Sequence, residues 1–213
     1  MRNFIRNIKA KFQRKNDDLN EFDIKSLIPK SGRLKSKIFE NKFLKIPATL
    51  FYEIEILFEP FKTENELNQT IVQLNFIRLN TRKIKNLENS EFHFPINPDD
   101  GYVDGSINLF NVHNPFDVTK MTFGKIVNST IELKLEYNII FEFEGTGYSN
   151  SLNNTLTLKI ALDKLNIDTA IIGVDNITDE SVKAIAGKFV DLEDFLEPDF
   201  DKNNISIKYK NGI

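Results

Sequence analysis

IELKLEYNIIFEFE, residues 131–144, alternates apolar and polar side chains almost without interruption. Ile131, Leu133, Leu135, Tyr137, Ile139, Phe141 and Phe143 fall on one parity; Glu132, Lys134, Glu136, Asn138, Glu142 and Glu144 fall on the other, with Ile140 the one apolar intruder. Successive side chains of a strand point to opposite faces, so a period of two predicts a half-buried strand with one wet face, as antiparallel sheets allow. The polar stretch GTGYSNSLNN (145–154) then makes a connection, and TLTLKIALDKLNI (155–167) supplies the next strand.

The same pattern extends upstream. In KIPATLFYEIEILFEPF (45–61), Leu50, Tyr52, Ile54, Ile56 and Phe58 share one face and Glu53, Glu55 and Glu59 the other. TIVQLNFIRLN (70–80) alternates through Val72, Leu74 and Phe76 and slips at Ile77, which fits a strand with a bulge or a short helix begun near Glu64. EFHFPI (91–96) reads as a short strand ended by Pro95 and Pro98, because proline cannot donate to a ladder. Further strands are expected at 106–112 and 118–126, and a terminal one in NISIKY (204–209).

Helix enters late. Thr178 suits an N-cap, Asp179 and Glu180 place negative charge in the first turn, and Val182, Ile185, Ala186 and Phe189 form one stripe, predicting a helix over 178–190. A second short helix is expected at 191–196, stopped by Pro198. Alternating βα units are lacking, which argues against Rossmann and TIM folds. The fold class is therefore mainly β: an antiparallel β-sandwich or open barrel, with an N-terminal amphipathic helix and a small C-terminal helical addition.

Charge divides the chain. Residues 1–45 carry 13 Lys or Arg against 5 Asp or Glu, whereas 46–213 carry 15 against 26. Met1, Phe4, Ile5, Ile8 and Phe12 recur at helical spacing among Arg2, Arg6, Lys9, Lys11 and Arg14, predicting a basic amphipathic helix over residues 1–14 that docks on the body, meets a partner or touches a membrane surface. PKSG (29–32) reads as a turn. Two units are thus expected: a basic, partly helical extension over 1–45 and a single β-rich domain over 46–213. The acidic body argues against a nucleic-acid partner. Without a continuous apolar run at the start or elsewhere, the expected location is cytoplasmic.

The chain has no cysteine and only two histidines, which excludes disulfides, thiolate nucleophiles and Cys-ligated zinc. The densest polar cluster is DDGYVDGS (99–106), followed by NVHNPFDVTK (111–120). As a calcium loop it fails: with Asp100, Asp104 and Gly105 at the first, fifth and sixth positions, Tyr102 occupies the third and Asn111 the twelfth, where carboxylates belong. DFDKNN (199–204) fails similarly, with Asn204 for the glycine and Lys210 for the glutamate. Turn chemistry explains the cluster better, with one turn at Asp99–Asp100–Gly101 and a second at Asp104–Gly105. His113, with Asp117 four residues on, is the one catalytic candidate pair, and HNPFD is expected to form a shaped corner. His93 is expected to be solvent-exposed. GTGYSNS matches neither a nucleophile elbow nor a phosphate loop. No cofactor and no metal site is expected.

This pattern points to a non-enzymatic module that binds a protein, in the manner of a bacterial immunity or antitoxin-like protein neutralising a basic partner. The candidate contact residues are Glu132, Glu136, Glu142, Asp100, Asp104 and His113. The alternatives are a hydrolase or carbohydrate-binding domain around His113 with Asp100, Asp104 and Asp117, and a structural or assembly subunit.

Overall fold

The computed structural model describes residues 19–62, 67–173, 177–200 and 204–210. The basic helix expected over residues 1–14 lies outside the described residues. The remainder is mainly β. Seven strands follow one another around a barrel: β1 (Pro29–Asn41), β2 (Ile46–Phe58), β5 (Ile71–Ile77), β7 (Asp104–Leu109), β8 (Val112–Val127), β9 (Thr130–Ile139) and β10 (Ser151–Ile167). Each neighbouring pair is antiparallel except the last, where β1 and β10 pair in parallel from Arg33↔Ala161 to Ile38↔Ile167. The parallel seam follows from the count. Strands that alternate in direction leave the first and seventh running the same way, so they can join only in parallel. The expected sandwich or open barrel is thereby replaced by a closed seven-stranded one, in which the first and last strands cover each other's edges and β12 (Ile205–Tyr209) and β11 (Phe195–Phe200) extend the sheet beyond it.

The extension expected over 1–45 is divided by the structure. Pro29–Asn41 is a barrel strand, paired on one edge with β2 and on the other with β10. PKSG is its beginning and not a turn; Gly32 sits where an added Cβ would come within 2.5 Å of Ile160 Cγ2. Lysines and arginines at 33, 35 and 37 give this strand its basic character, but they are its outer face. Leu34, Ser36 and Ile38 are its buried one.

Smaller pieces complete the chain. β3 (Phe61–Lys62) and β4 (Leu67–Asn68) form a separate hairpin, and β6 (Glu91–His93) pairs with the part of β8 that β7 does not reach. Beyond β10 come α1 (Thr169–Ile172) and α2 (Asp179–Ala186), then β11 (Phe195–Phe200) and β12 (Ile205–Tyr209). α2 begins as expected: Thr178 Oγ1 accepts from Ser181 N at 3.2 Å and Ser181 Oγ accepts from Thr178 N at 2.9 Å. The expected helix at 191–196 is instead a 3-10 turn over Leu192–Asp194 that runs into β11, with Pro198 inside the strand. β11 is an edge strand, where proline is tolerated.

Inward side chains fill the barrel. Phe58, Phe116, Phe123, Phe141, Leu34, Ile38, Ile54, Ile56 and Leu74 are among the fully buried ones. At one end, Phe22 meets the rings of Phe61 on β3, Phe110 at the β7–β8 turn, and Phe141 and Tyr148 in the β9–β10 connection. At the other end, Tyr209 on β12 and Ser36 on β1 share a hydrogen bond at 3.0 Å, and Tyr52 donates to Thr81 O at 3.2 Å. Burial pushes both phenols far above their ordinary range, and Tyr137 is pushed up to about 12 by the same cause.

Candidate functional site

The cluster at 99–117 resolves into a loop, a strand, a tight turn and a second strand. Asp99 N donates to Ile96 O and Tyr102 N to Asp99 O, and Gly101 takes φ +91°, so the first expected turn is present. Asp104 and Gly105 are not a second turn; they open β7, opposite Asn75 and Leu74 of β5. The reversal comes later, at Phe110 and Asn111, both at positive φ, as a two-residue hairpin requires. HNPFD is thus no corner: it lies wholly within β8, and proline is accommodated opposite Ser106.

That placement separates the catalytic candidates. His113 is exposed and faces Asn108 across the hairpin, while Asp117 lies four residues along the same strand. Four residues of extended chain span about 13 Å, so the two side chains share a face without reaching a hydrogen bond. Asp117 is only 8% exposed, its carboxylate makes no hydrogen bond to a described residue, and burial raises that carboxyl above the ordinary value. Asn114, between them, points inward: its Nδ2 donates to Leu109 O at 3.1 Å and Val112 O at 3.2 Å, bracing the turn, and its buried Oδ1 has no partner among the described residues. His93 is exposed, as expected, beside Glu91 at 2.9 Å. Among the described residues, no three His, Asp or Glu side chains gather as metal ligands.

The acidic strand face is less acidic than one strand implies. Lys159 of β10 stands directly opposite Glu132, and Lys120 of β8 opposite Glu136. Lys120 Nζ lies 3.8 Å from Glu136 and 2.9 Å from Glu91, and Lys134 Nζ lies 3.9 Å from Glu136. Hydrogen bonding to Lys120 and His93 lowers the Glu91 carboxyl below its usual range. Glu142 is not on this face at all. β9 stops at Ile139, because Asn150 Oδ1 accepts from Phe141 N and Glu142 N and the chain turns through Gly145 at φ +63°. Phe143, expected to point inward, is 79% exposed on that loop.

Comparison with protein-family models, curated proteins and solved structures finds no match. Asp99, Asp100 and Asp104 are exposed and form no ion pair with a described residue, whereas Glu136 on the sheet is paired with Lys120 and Lys134.

Sequence reasoning passed over the neighbouring patch. Phe39, Phe51 and Phe76 form an aromatic cluster on the outer wall, with ring centroids 5.7 and 5.4 Å from Phe76. Lys37 lies over Phe39 and Arg78 over Phe51. Just beyond, the β1–β2 hairpin ends in Lys42–Phe43–Leu44–Lys45, with Phe43 93% and Leu44 61% exposed. The available signal was NKFLK, two apolar residues between lysines after an alternating run. Among the described residues, no helix is long and apolar enough to cross a membrane.

Proposed function

We propose that this chain is a non-enzymatic protein-binding module that engages a basic partner through an acidic loop, as an immunity or antitoxin-like protein would. The observation that carries this reading is the set of three exposed carboxylates, Asp99, Asp100 and Asp104, at the mouth of β7, none paired with a cation among the described residues. Carboxylates already matched by lysines across a sheet have little to offer a partner; unmatched ones on a loop steer encounter and discriminate by charge. Glu136 therefore acts mainly within the sheet, Glu132 has Lys159 across from it on β10, and Glu142 and His113 are peripheral to the contact. A compartment holding such a partner, including the cytoplasm, suits this role.

The test is affinity capture from native cells with the natural chain and with an Asp99→Asn/Asp100→Asn/Asp104→Asn variant. A partner retained by the first and held at least about tenfold more weakly by the second is expected, the effect growing at low salt. Equal retention by both chains would remove the loop from the interface.

A further inference from the structure

The acidic loop does not stand alone on its end of the barrel. Strands β1, β2, β5 and β7 are neighbours in the sheet, and a single line across their outer faces changes character twice. On β1 and its hairpin lie Lys37, Lys42 and Lys45; on β2 and β5 lie Phe51, itself only 4% exposed, and Phe76, with Phe39 against Phe76; at β7 lie Asp104 and, just before it, Asp99 and Asp100. Asp104 is directly opposite Asn75, the residue before Phe76, so aromatic and acidic parts adjoin. Adjacent strands are about 4.8 Å apart, which places the cationic and anionic flanks roughly 15 Å from each other across an apolar centre.

Two intramolecular pairs temper the cationic flank. Lys42 lies 3.4 Å from Glu40 and Lys37 lies 3.9 Å from Glu53. Lys45 and Arg78 form no ion pair with a described residue, and Lys42 remains 80% exposed at its side chain. The centre carries a separate signature. Phe76 has φ +54°, a left-handed conformation that bulky residues avoid, and the register with β2 slips there between Tyr52 and Ile54. The strained backbone holds the ring outward, 42% exposed, where burial in the barrel would be the ordinary fate of a strand phenylalanine.

A surface running from basic through aromatic to acidic is complementary to itself after rotation by half a turn. In an isologous contact each residue that meets a partner residue is met by it in return, so the lysine flank of one copy falls on the aspartate flank of the other, twice. The apolar parts match too: Phe43 and Leu44 at the basic tip would face Ile96, 45% exposed and hydrogen-bonded through its carbonyl to Asp99 N. We infer that the basic partner of the acidic loop is a second copy of this chain, joined as a two-fold dimer through Lys42, Lys45, Phe76, Asp100 and Asp104. This inference rests on the acidic-loop reading above and names its occupant.

The test is a charge exchange on the full chain, read by sedimentation velocity at concentrations up to roughly 100 µM, where weak specific interfaces are populated. The natural chain is expected to dimerise, more weakly in high salt. Lys42→Glu/Lys45→Glu alone and Asp100→Lys/Asp104→Lys alone each place like charges in both contacts, and each is expected to weaken dimerisation at least about tenfold. Mixed together, the two variants restore opposite charges at both contacts and should form a heterodimer. All four side chains are exposed on turns or at a strand end, so circular dichroism of each variant should match that of the natural chain. A natural chain that stays monomeric overturns the dimer, as does a dimer indifferent to either exchange or a mixture that fails to associate. A monomer whose captured partner is still lost in the triple asparagine variant overturns only the self-association, leaving the loop as a docking site for another protein.

Discussion

Gly105→Ala probes a close approach between barrel strands. Gly105 is directly opposite Leu74 of β5, and β8 passes over it on the other side. A Cβ built there would lie 2.1 Å from the carbonyl oxygen of Phe116 and 3.0 Å from Leu74 Cδ2. An ordinary carbon–oxygen contact needs about 3.3 Å, so one strand must retreat by about 1 Å, and the oxygen belongs to backbone that cannot rotate away. That retreat would loosen the β7–β8 pairing from Ser106↔Pro115 onward and the stack of Phe116 on Tyr137, whose centroids are 4.2 Å apart. Overpacking of this kind costs about 3 kcal/mol, toward the upper end of the range for an added methyl group. For a chain of this length that corresponds to a fall of roughly 6–12 °C in Tm. Urea titration followed by far-ultraviolet circular dichroism would measure it. Gly145→Ala is the useful comparison, because Gly145 has open space around its Cβ position and a φ of +63°; it should lose only about 1–2 kcal/mol, from conformation alone. If Gly105→Ala falls within about 0.5 kcal/mol of the natural chain, β7 and β8 are not packed as described.

Asp117→Asn tests the buried carboxylate. Its folded pKa is raised by burial, so the folded state holds the proton more tightly than the unfolded one, and stability declines as pH climbs from the ordinary aspartate value through the folded one. The asparagine variant should be more stable than the natural chain at neutral pH, with the difference vanishing in acid; a constant difference across the titration would contradict this. Tyr209→Phe leaves Ser36 Oγ buried without its partner and should cost about 1–3 kcal/mol by thermal denaturation, while Ser36→Ala/Tyr209→Phe should recover much of the loss because neither partner is then orphaned. Asn114→Ala withdraws both donors that brace the Phe110–Asn111 turn, and about 1–3 kcal/mol of stability should go with them. Glu55→Gln removes a carboxylate that burial raises but hydrogen bonds from Lys35 and Arg33 bring to a net lowered pKa. The stability that carboxylate contributes is present above the ordinary glutamate pKa and lost in acid, so the variant should show a shallower fall between neutral and acid pH.

Alternation was enough to find most barrel strands because each has one face on a filled interior and one in water. Ile131 through Ile139 shows this directly: every odd position is buried and every even one is exposed or partly so. The errors have equally local causes. β1 was hidden because Arg33, Lys35 and Lys37 were counted as net charge and not as one face of a strand whose other face is Leu34, Ser36 and Ile38. Strand ends were misjudged where a side chain from elsewhere terminates the ladder, as Asn150 does at Phe141. Closure was illegible for a different reason. Nothing in a single strand's pattern says which distant strand lies beside it, and the β1–β10 seam joins segments about 130 residues apart, in line with the general dependence of β topology on non-local pairing.

The candidate site shows the same division between what one segment can reveal and what only neighbours decide. Glu132, Glu136 and Glu142 look like one acidic stripe when read along the chain, yet a sheet sets its surface charge across strands. Lys120, Lys134 and Lys159 interrupt the stripe from β8, β9 and β10, and the turn after Ile139 carries Glu142 away. DDGYVD keeps its charge for the opposite reason: Asn75 and not lysine stands across from Asp104, and the residues before it lie in a loop that, among the described residues, pairs with no strand. A net charge of −11 over residues 46–213 is therefore a poor guide to where a partner would dock. The informative quantity is the charge each neighbouring strand leaves unmatched, and among the described residues the mouth of β7 keeps Asp99, Asp100 and Asp104 unpaired while the β1–β2 tip keeps Lys45 unpaired.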